Sequence, residues 1–231
     1  MSIAENIAQV RANIAQACAQ TGRSPEEITL VGASKMNDAA ACREAIAAGI
    51  DALGENRVQE MTAKLADNAY DGAPLHFIGH LQRNKVKQVV GKVALIQSVG
   101  STELLEEIEK VAAKEQLVQD ILLEVNIGRE EAKSGFDPDA VTAAAEAALA
   151  LPHVRVRGLM TIPPADADRD ANMRYFQEVQ ALYVDINTKL FHNELKCLSM
   201  GMSGDYMDAI RCGATMVRVG TAIFGARNYN I

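Results

Sequence analysis

The sequence predicts a closed (β/α)8 barrel of the TIM type, preceded by one additional helix. Three observations carry that prediction. Eight short apolar segments alternate with helical stretches along the chain. Those segments are continuous apolar runs, the pattern of parallel strands covered on both faces. Their C-terminal ends gather most of the polar and glycine-rich residues, as at the active face of a barrel. A doubly wound open sheet is the alternative, but this length would normally give it fewer strands. No linker or composition shift divides residues 1–231, so one domain is expected.

The elements follow in order. Ile3, Ile7, Val10, Ile14 and Cys18 recur at helical spacing, giving a helix over 3–20. Ser24 is placed to cap a short turn, with Pro25 first and Glu27 three residues after the cap. The first strand is 28–34. Helix 38–48, which Gly49 terminates, leads to strand 51–54, and helix 55–68 leads to strand 75–79. A short helix over 83–90 precedes strand 94–98, and helix 102–116 precedes strand 120–126. Loop 127–137 is the longest polar insertion and reads as mobile. Pro138 opens an Ala-rich helix to 150, followed by strand 154–161 and helix 168–188. Strand 195–199, helix 205–212 and strand 216–219 close the series.

Composition narrows the function classes. The 231 residues are 48% apolar and 23% charged, ordinary values for a globular protein. A net charge of -7 disfavours a broad nucleic-acid or anionic-membrane surface. The basic run at Gln82–Lys87 reads as a solvated helix face. No window is apolar enough for a membrane span, and the N-terminus lacks a basic head before an apolar run. Cys18, Cys42, Cys197 and Cys212 form neither a CxxC nor a zinc pattern. Reduced cysteines in a cytoplasmic protein with no metal site are expected.

The strand ends concentrate the chemistry. Lys35 closes the first strand; a lysine held there in a pocket loses proton affinity through burial and gains nucleophilicity toward a carbonyl. Strands seven and eight end in Ser199-Met200-Gly201-Met202-Ser203-Gly204-Asp205 and Val217-Arg218-Val219-Gly220-Thr221. Barrels often hold phosphate there. Gly201, Gly204 and Gly220 permit close backbone approach, Ser203 and Thr221 supply hydroxyls, and Arg218 supplies a permanent cation. A helix N-terminus near 203–205 is expected to assist. A reactive amine and a phosphate cradle together point to pyridoxal phosphate. Each residue also has a plainer reading: Lys35 as surface charge, Asn56 as a helix cap, His80 as a loop residue, Met200 and Met202 as core filling. Glu55 is expected to pair with Arg57 or another base near the mouth.

The motifs from Gly32-Ala33-Ser34-Lys35, through Gly54-Glu55-Asn56-Arg57-Val58-Gln59-Glu60, His76-Phe77-Ile78-Gly79-His80-Leu81-Gln82-Arg83-Asn84-Lys85 and Gly158-Leu159-Met160-Thr161-Ile162-Pro163, to the two final segments resemble the pyridoxal phosphate homeostasis protein family. The resemblance covers about 28–227. That family is similar in fold to the N-terminal barrel of alanine racemase. The resemblance implies that Lys35 forms a Schiff base, the internal aldimine, with pyridoxal 5'-phosphate. It implies phosphate contacts at Ser203, Gly220 and Thr221, Arg218 at the pyridine nitrogen, and Asn56 at the pocket wall with Met200 and His80 nearby. Gly100 stands where members commonly show aspartate, Gly204 where alanine or another small residue is common, and 183–194 looks unusual.

The expected function is intracellular vitamin B6 homeostasis by cofactor binding, without catalytic turnover. Racemases of this fold take a second base, a tyrosine, from another domain and subunit. Here the chain ends at Ile231 just after the barrel closes, and only Tyr229 at the tail is an untested source. Apo-enzymes requiring the cofactor are the expected recipients, and a monomer the expected state. The alternative is a pyridoxal-phosphate-dependent amino-acid racemase or lyase of low activity.

Overall fold

The computed structural model describes residues 1–225, so Tyr229 lies outside the described residues. Eight parallel strands close into one barrel in chain order, with the last paired to the first. They are β1 Thr29–Ala33, β2 Ala52–Glu55, β3 Leu75–Phe77, β4 Leu95–Val99, β5 Gln119–Val125, β6 Val154–Thr161, β7 Cys197–Ser199 and β8 Met216–Val219. The helices are α1 Ile3–Ala19, α2 Ala39–Ala47, α3 Val58–Ala66, α4 Thr102–Lys114, α5 Val141–Leu149, α6 Arg169–Leu190, α7 Tyr206–Arg211 and α8 Thr221–Phe224. Residues 83–88 wind as a 3-10 helix. Strands β6 and β8 have the expected bounds.

Helix α1 is the additional element. Ser2 and Glu5 form a capping box at its start. Its apolar stripe, Ile7, Val10 and Ile14, is buried. Its polar face still reaches the barrel: Asn6 Nδ2 donates to the Ile223 carbonyl and Asn13 Nδ2 to the Tyr206 hydroxyl, both at 2.8 Å. The Ser24–Glu27 capping box forms as expected, over a single 3-10 turn.

Strand alternation divides the core in two. Val31, Ala52, Leu95, Leu122, Met160 and Met216 pack as one layer inside the barrel. The outward residues form the larger core beneath the helices. Two residues nearer the C-terminal end, the same inward parity brings Gln97, Glu124, Ser199 and Arg218, all buried polar side chains. The interior is therefore apolar at its floor and polar toward the mouth.

Several expected boundaries move. Strand β3 ends at Phe77 because the chain bends toward β2: a Cβ on Gly79 would lie 2.2 Å from the Asn56 carbonyl oxygen. Strand β7 starts at Cys197 because α6 takes over Leu195. The Leu195 N–H donates to Asn187 Oδ1 at 2.9 Å, and its carbonyl accepts from the Tyr183 hydroxyl at 2.7 Å. That pinning also organises 183–194, where His192 and Asn193 take left-handed φ values of 50° and 65°. Loop 127–137, expected to be mobile, is tied back at both ends. The Asn126 N–H donates to the Phe136 carbonyl at 2.9 Å, and the Phe136 N–H donates to the Glu124 carbonyl at 2.8 Å. The four cysteines carry free thiols. Among the described residues, no helix is long and apolar enough to cross a membrane.

Candidate functional site

Lys35 is half-buried, two residues beyond the end of β1. Strand β1 runs beside β8 with Gly32 opposite Val219. The next residues therefore emerge together: a Cβ on Gly220 would sit 3.4 Å from the Ala33 carbonyl. Lys35 is thus delivered to the edge of the Gly220-Thr221 turn.

That turn forms one half of a cradle with Ser203. Ser203 Oγ accepts from the Gly220 N–H at 3.1 Å and the Ala222 N–H at 3.3 Å. These are orphan amides at the start of α8, a helix the sequence reading did not foresee. The expected helix is present where the sequence reading put it, but its N-terminus is occupied. Helix α7 begins at Tyr206, and Asp205 at its N-cap position turns Oδ1 back to the Met202 N–H at 2.6 Å. A carboxylate there repels an anion, so the usable amides are those after β8. Ser203 and Thr221 also border a cavity of about 550 Å³ beside α1.

Arg218 is the buried cation at the end of a polar chain across the barrel. Its Nη1 donates to Ser199 Oγ at 2.5 Å and its Nη2 to the Thr161 carbonyl at 2.9 Å. Ser199 then donates to Gln97 Oε1 at 2.6 Å, and Gln97 Nε2 meets His76 Nδ1 at 2.9 Å. This order of donors leaves His76 Nδ1 as an acceptor, so His76 is neutral with its proton on Nε2. Burial pushes the His76 imidazole down to about 4. Burial also lowers Arg218 to about 10, opposed by Glu124 and Asp205, so it stays cationic at neutral pH. Sequence reasoning missed Gln97 and His76. Their signal was a polar residue inside an apolar strand.

Asn56 and His80 meet on the far side of the mouth. With Glu124 and Asn126 they line a cavity of about 240 Å³. His80 is exposed, and it also borders a second cavity of about 600 Å³. Asn56 Oδ1 and Glu124 Oε2 are buried oxygens with no hydrogen-bond partner in the structure. Glu124 is 8% exposed; burial raises its carboxyl, against Arg218 and a Ser134 hydrogen bond. Met200 is fully buried among the outward core residues, so its side chain serves packing.

Of the two expected partners, Glu55 takes not Arg57 but another base, Lys64. Its Oε1 accepts from Lys64 Nζ at 2.7 Å, Ser34 Oγ at 2.6 Å and the Tyr70 hydroxyl at 3.0 Å, completely shielded from solvent. Arg57 is exposed because it precedes α3, whereas Lys64 lies on the face of α3 turned to β2.

A primary amine, two convergent backbone amides beside a hydroxyl, a fixed cation and two unpartnered buried oxygens form one mouth. That donor set fits an anionic, aldehyde-bearing heteroaromatic ligand. It defines the class of barrel: residues 6–228 match the family model described as alanine racemase, N-terminal domain. The chain belongs, within that class, to the pyridoxal phosphate homeostasis protein family. It is 42% identical to the Aquifex aeolicus pyridoxal phosphate homeostasis protein, covering 99% of this chain and 100% of that one. It is 38% identical to the Escherichia coli protein of the same name, covering 99% and 98%. Among solved structures, PipY of Synechococcus elongatus with PLP bound superposes with a TM-score of 0.85 at 33% identity, covering 97% of this chain and 100% of PipY. Alanine racemase of Clostridium difficile shares the fold, with a TM-score of 0.73 at 17% identity over 99% of this chain and 58% of that enzyme.

Proposed function

We propose that this chain binds pyridoxal 5'-phosphate at the barrel mouth and serves pyridoxal phosphate homeostasis without catalytic turnover. The observation that carries the proposal is the half-buried Lys35 beside the Ser203–Gly220–Ala222 cradle. The relatives' names and the PLP-bound PipY support it. When bound, pyridoxal phosphate supplies an aldehyde that condenses reversibly with a primary amine, releasing water.

Lys35 is the proposed amine. Ser203, Thr221 and the Gly220 amide hold the phosphate, Arg218 faces the ring nitrogen, and Asn56 and His80 border the remaining face. Arg218 only donates hydrogen bonds, so beside a ring nitrogen it disfavours protonation and blunts electron withdrawal. Three of the four described tyrosines spend their hydroxyls within the fold. Tyr70, Tyr183 and Tyr206 engage their hydroxyls with Glu55, the Leu195 carbonyl and Asn13. None of these three offers a second base to the mouth. A cytoplasmic monomer that hands cofactor to apo-enzymes completes the proposal.

Borohydride reduction of the loaded protein, followed by peptide mapping, tests the assignment. A modified Lys35 peptide, lost with Lys35→Ala, is expected; label on another lysine overturns it. Incubation with an amino-acid panel in deuterated water tests turnover. Robust Lys35-dependent exchange at Cα would replace the carrier by the racemase or lyase alternative.

A further inference from the structure

The turn that presents Lys35 is held from behind by α3. Glu60 and Lys64 stand four residues apart on that helix and pair at 2.9 Å. Lys64 Nζ also donates to the Ser34 carbonyl at 2.8 Å and to Glu55 Oε1 at 2.7 Å. Glu55 fixes the Ser34 hydroxyl in turn. On the other side of Lys35, the Met36 N–H donates to Glu60 Oε1. Asn37 adds two bonds, its N–H to the Ser34 carbonyl at 3.0 Å and its Nδ2 to the Lys35 carbonyl at 3.1 Å.

Both peptide units flanking Lys35 are therefore pinned. The unit before it is held through the Ser34 carbonyl, and the unit after it through the Lys35 carbonyl and the Met36 N–H. Fixing two consecutive peptide planes fixes the φ and ψ of the residue between them, and so the direction of its Cα–Cβ bond. Met36 itself has φ 62°, a conformation that a methionine keeps only when its surroundings hold it. Lys64 is 7% exposed, an uncommon place for a lysine whose task is solubility. Burial lowers its proton affinity, but Glu55 and Glu60 outweigh burial and keep the ammonium charged.

We propose that Glu60 and Lys64 are positioning residues for Lys35, acting through the turn and touching no ligand. This rests on Lys35 being the amine that takes the aldehyde. A pre-aligned amine reacts faster, and a displacement of about 1 Å can cost up to about a hundredfold.

Two rates separate positioning from plain stability. In the apo protein, Lys35 is acylated by a small amine-reactive reagent and its peptide quantified by mass spectrometry across pH. In the same preparations, pyridoxal phosphate uptake is followed by absorbance. With Glu60→Ala, which removes the acceptor of the Met36 N–H and spares the Glu55–Lys64 pair, acylation of Lys35 is expected to speed up by about tenfold as the turn loosens. Uptake is expected to slow by about tenfold, while acylation of the other lysines stays unchanged. Lys64→Met should shift both rates in the same directions, with Lys64→Arg recovering part of the uptake rate. A folded Glu60→Ala protein with both rates within about twofold of wild type overturns the proposal, whether or not Lys64→Met folds. Acylation reads the turn without cofactor, so failure of the binding assignment appears separately, as borohydride label outside Lys35.

Discussion

His76 makes the barrel interior sensitive to acid, and the size of the effect follows from its surroundings. The imidazole is 7% exposed, and its Nδ1 accepts from Gln97. Protonation would make Nδ1 a donor facing the Gln97 amide and reverse the chain that ends at Arg218. Burial lowers the folded-state pKa from 6.5 to about 4. Between those values the unfolded chain binds the proton and the folded chain does not, so stability falls as pH drops from about 6.5 to about 4 and levels off below. The full penalty is about 3 kcal/mol, of which about 2 kcal/mol develops between pH 7 and pH 5. Replacing His76 with Gln keeps an acceptor for Gln97 and removes the titration. Urea unfolding of both proteins at pH 7 and pH 5 measures the difference. Wild type should lose about 2 kcal/mol more than His76→Gln over that interval. Equal losses would refute the buried, neutral imidazole. Glu124 and Asp205, which burial raises, act in the opposite direction with pH but equally in both proteins.

Three further changes probe the mouth. Ser203→Ala should weaken pyridoxal phosphate retention by about tenfold or more, the worth of a hydrogen bond to a charged group, while thermal unfolding stays near wild type; equilibrium dialysis and calorimetry read the two arms. Gly79→Ala would set a methyl 2.2 Å from the Asn56 carbonyl, so a loss of about 1–3 kcal/mol in denaturant unfolding is expected, along with weaker cofactor binding through the displaced Asn56. Gly100→Asp would place its Cβ 2.6 Å from the Gly135 nitrogen and 3.2 Å from Glu124 Oε2. It should lower the melting temperature at neutral pH and recover part of the loss in acid, as the two carboxyls are neutralised; an unchanged melting temperature would contradict the tight Gly100–Gly135 contact.

The barrel was legible because its strands are buried on both faces, and continuous apolar runs report that burial directly. Ends were less legible wherever a side chain replaces a ladder bond. Asn187 and Tyr183 take the Leu195 backbone from eight and twelve residues away along the chain, and no periodicity marks that exchange. The helix expected over 55–68 is shorter for a related reason. Glu55 belongs to β2, and α3 waits until Val58, because the buried carboxylate is needed under the Lys35 turn.

The site divides along the same line. Lys35, Ser203, Gly220 and Thr221 sit at strand ends, where barrel geometry alone gives them one address. Ser203 and Gly220 are in direct contact, and β1–β8 pairing brings Lys35 to them. What stayed hidden was the support behind them. Lys64 looks in sequence like any helix-surface lysine, and its burial follows only from the packing of α3 against β2, where Glu55 waits as a partner. Gln97 looks like a polar interruption of an apolar strand until four strands bring His76, Ser199 and Arg218 to the same layer. Both networks need residues from different strands or helices to meet, so neither exists in any window of the sequence. They fix the two chemically distinct ends of the mouth: the amine on its pinned turn, and the cation on its chain of donors. Holding a cofactor needs both ends fixed, and these two networks fix them.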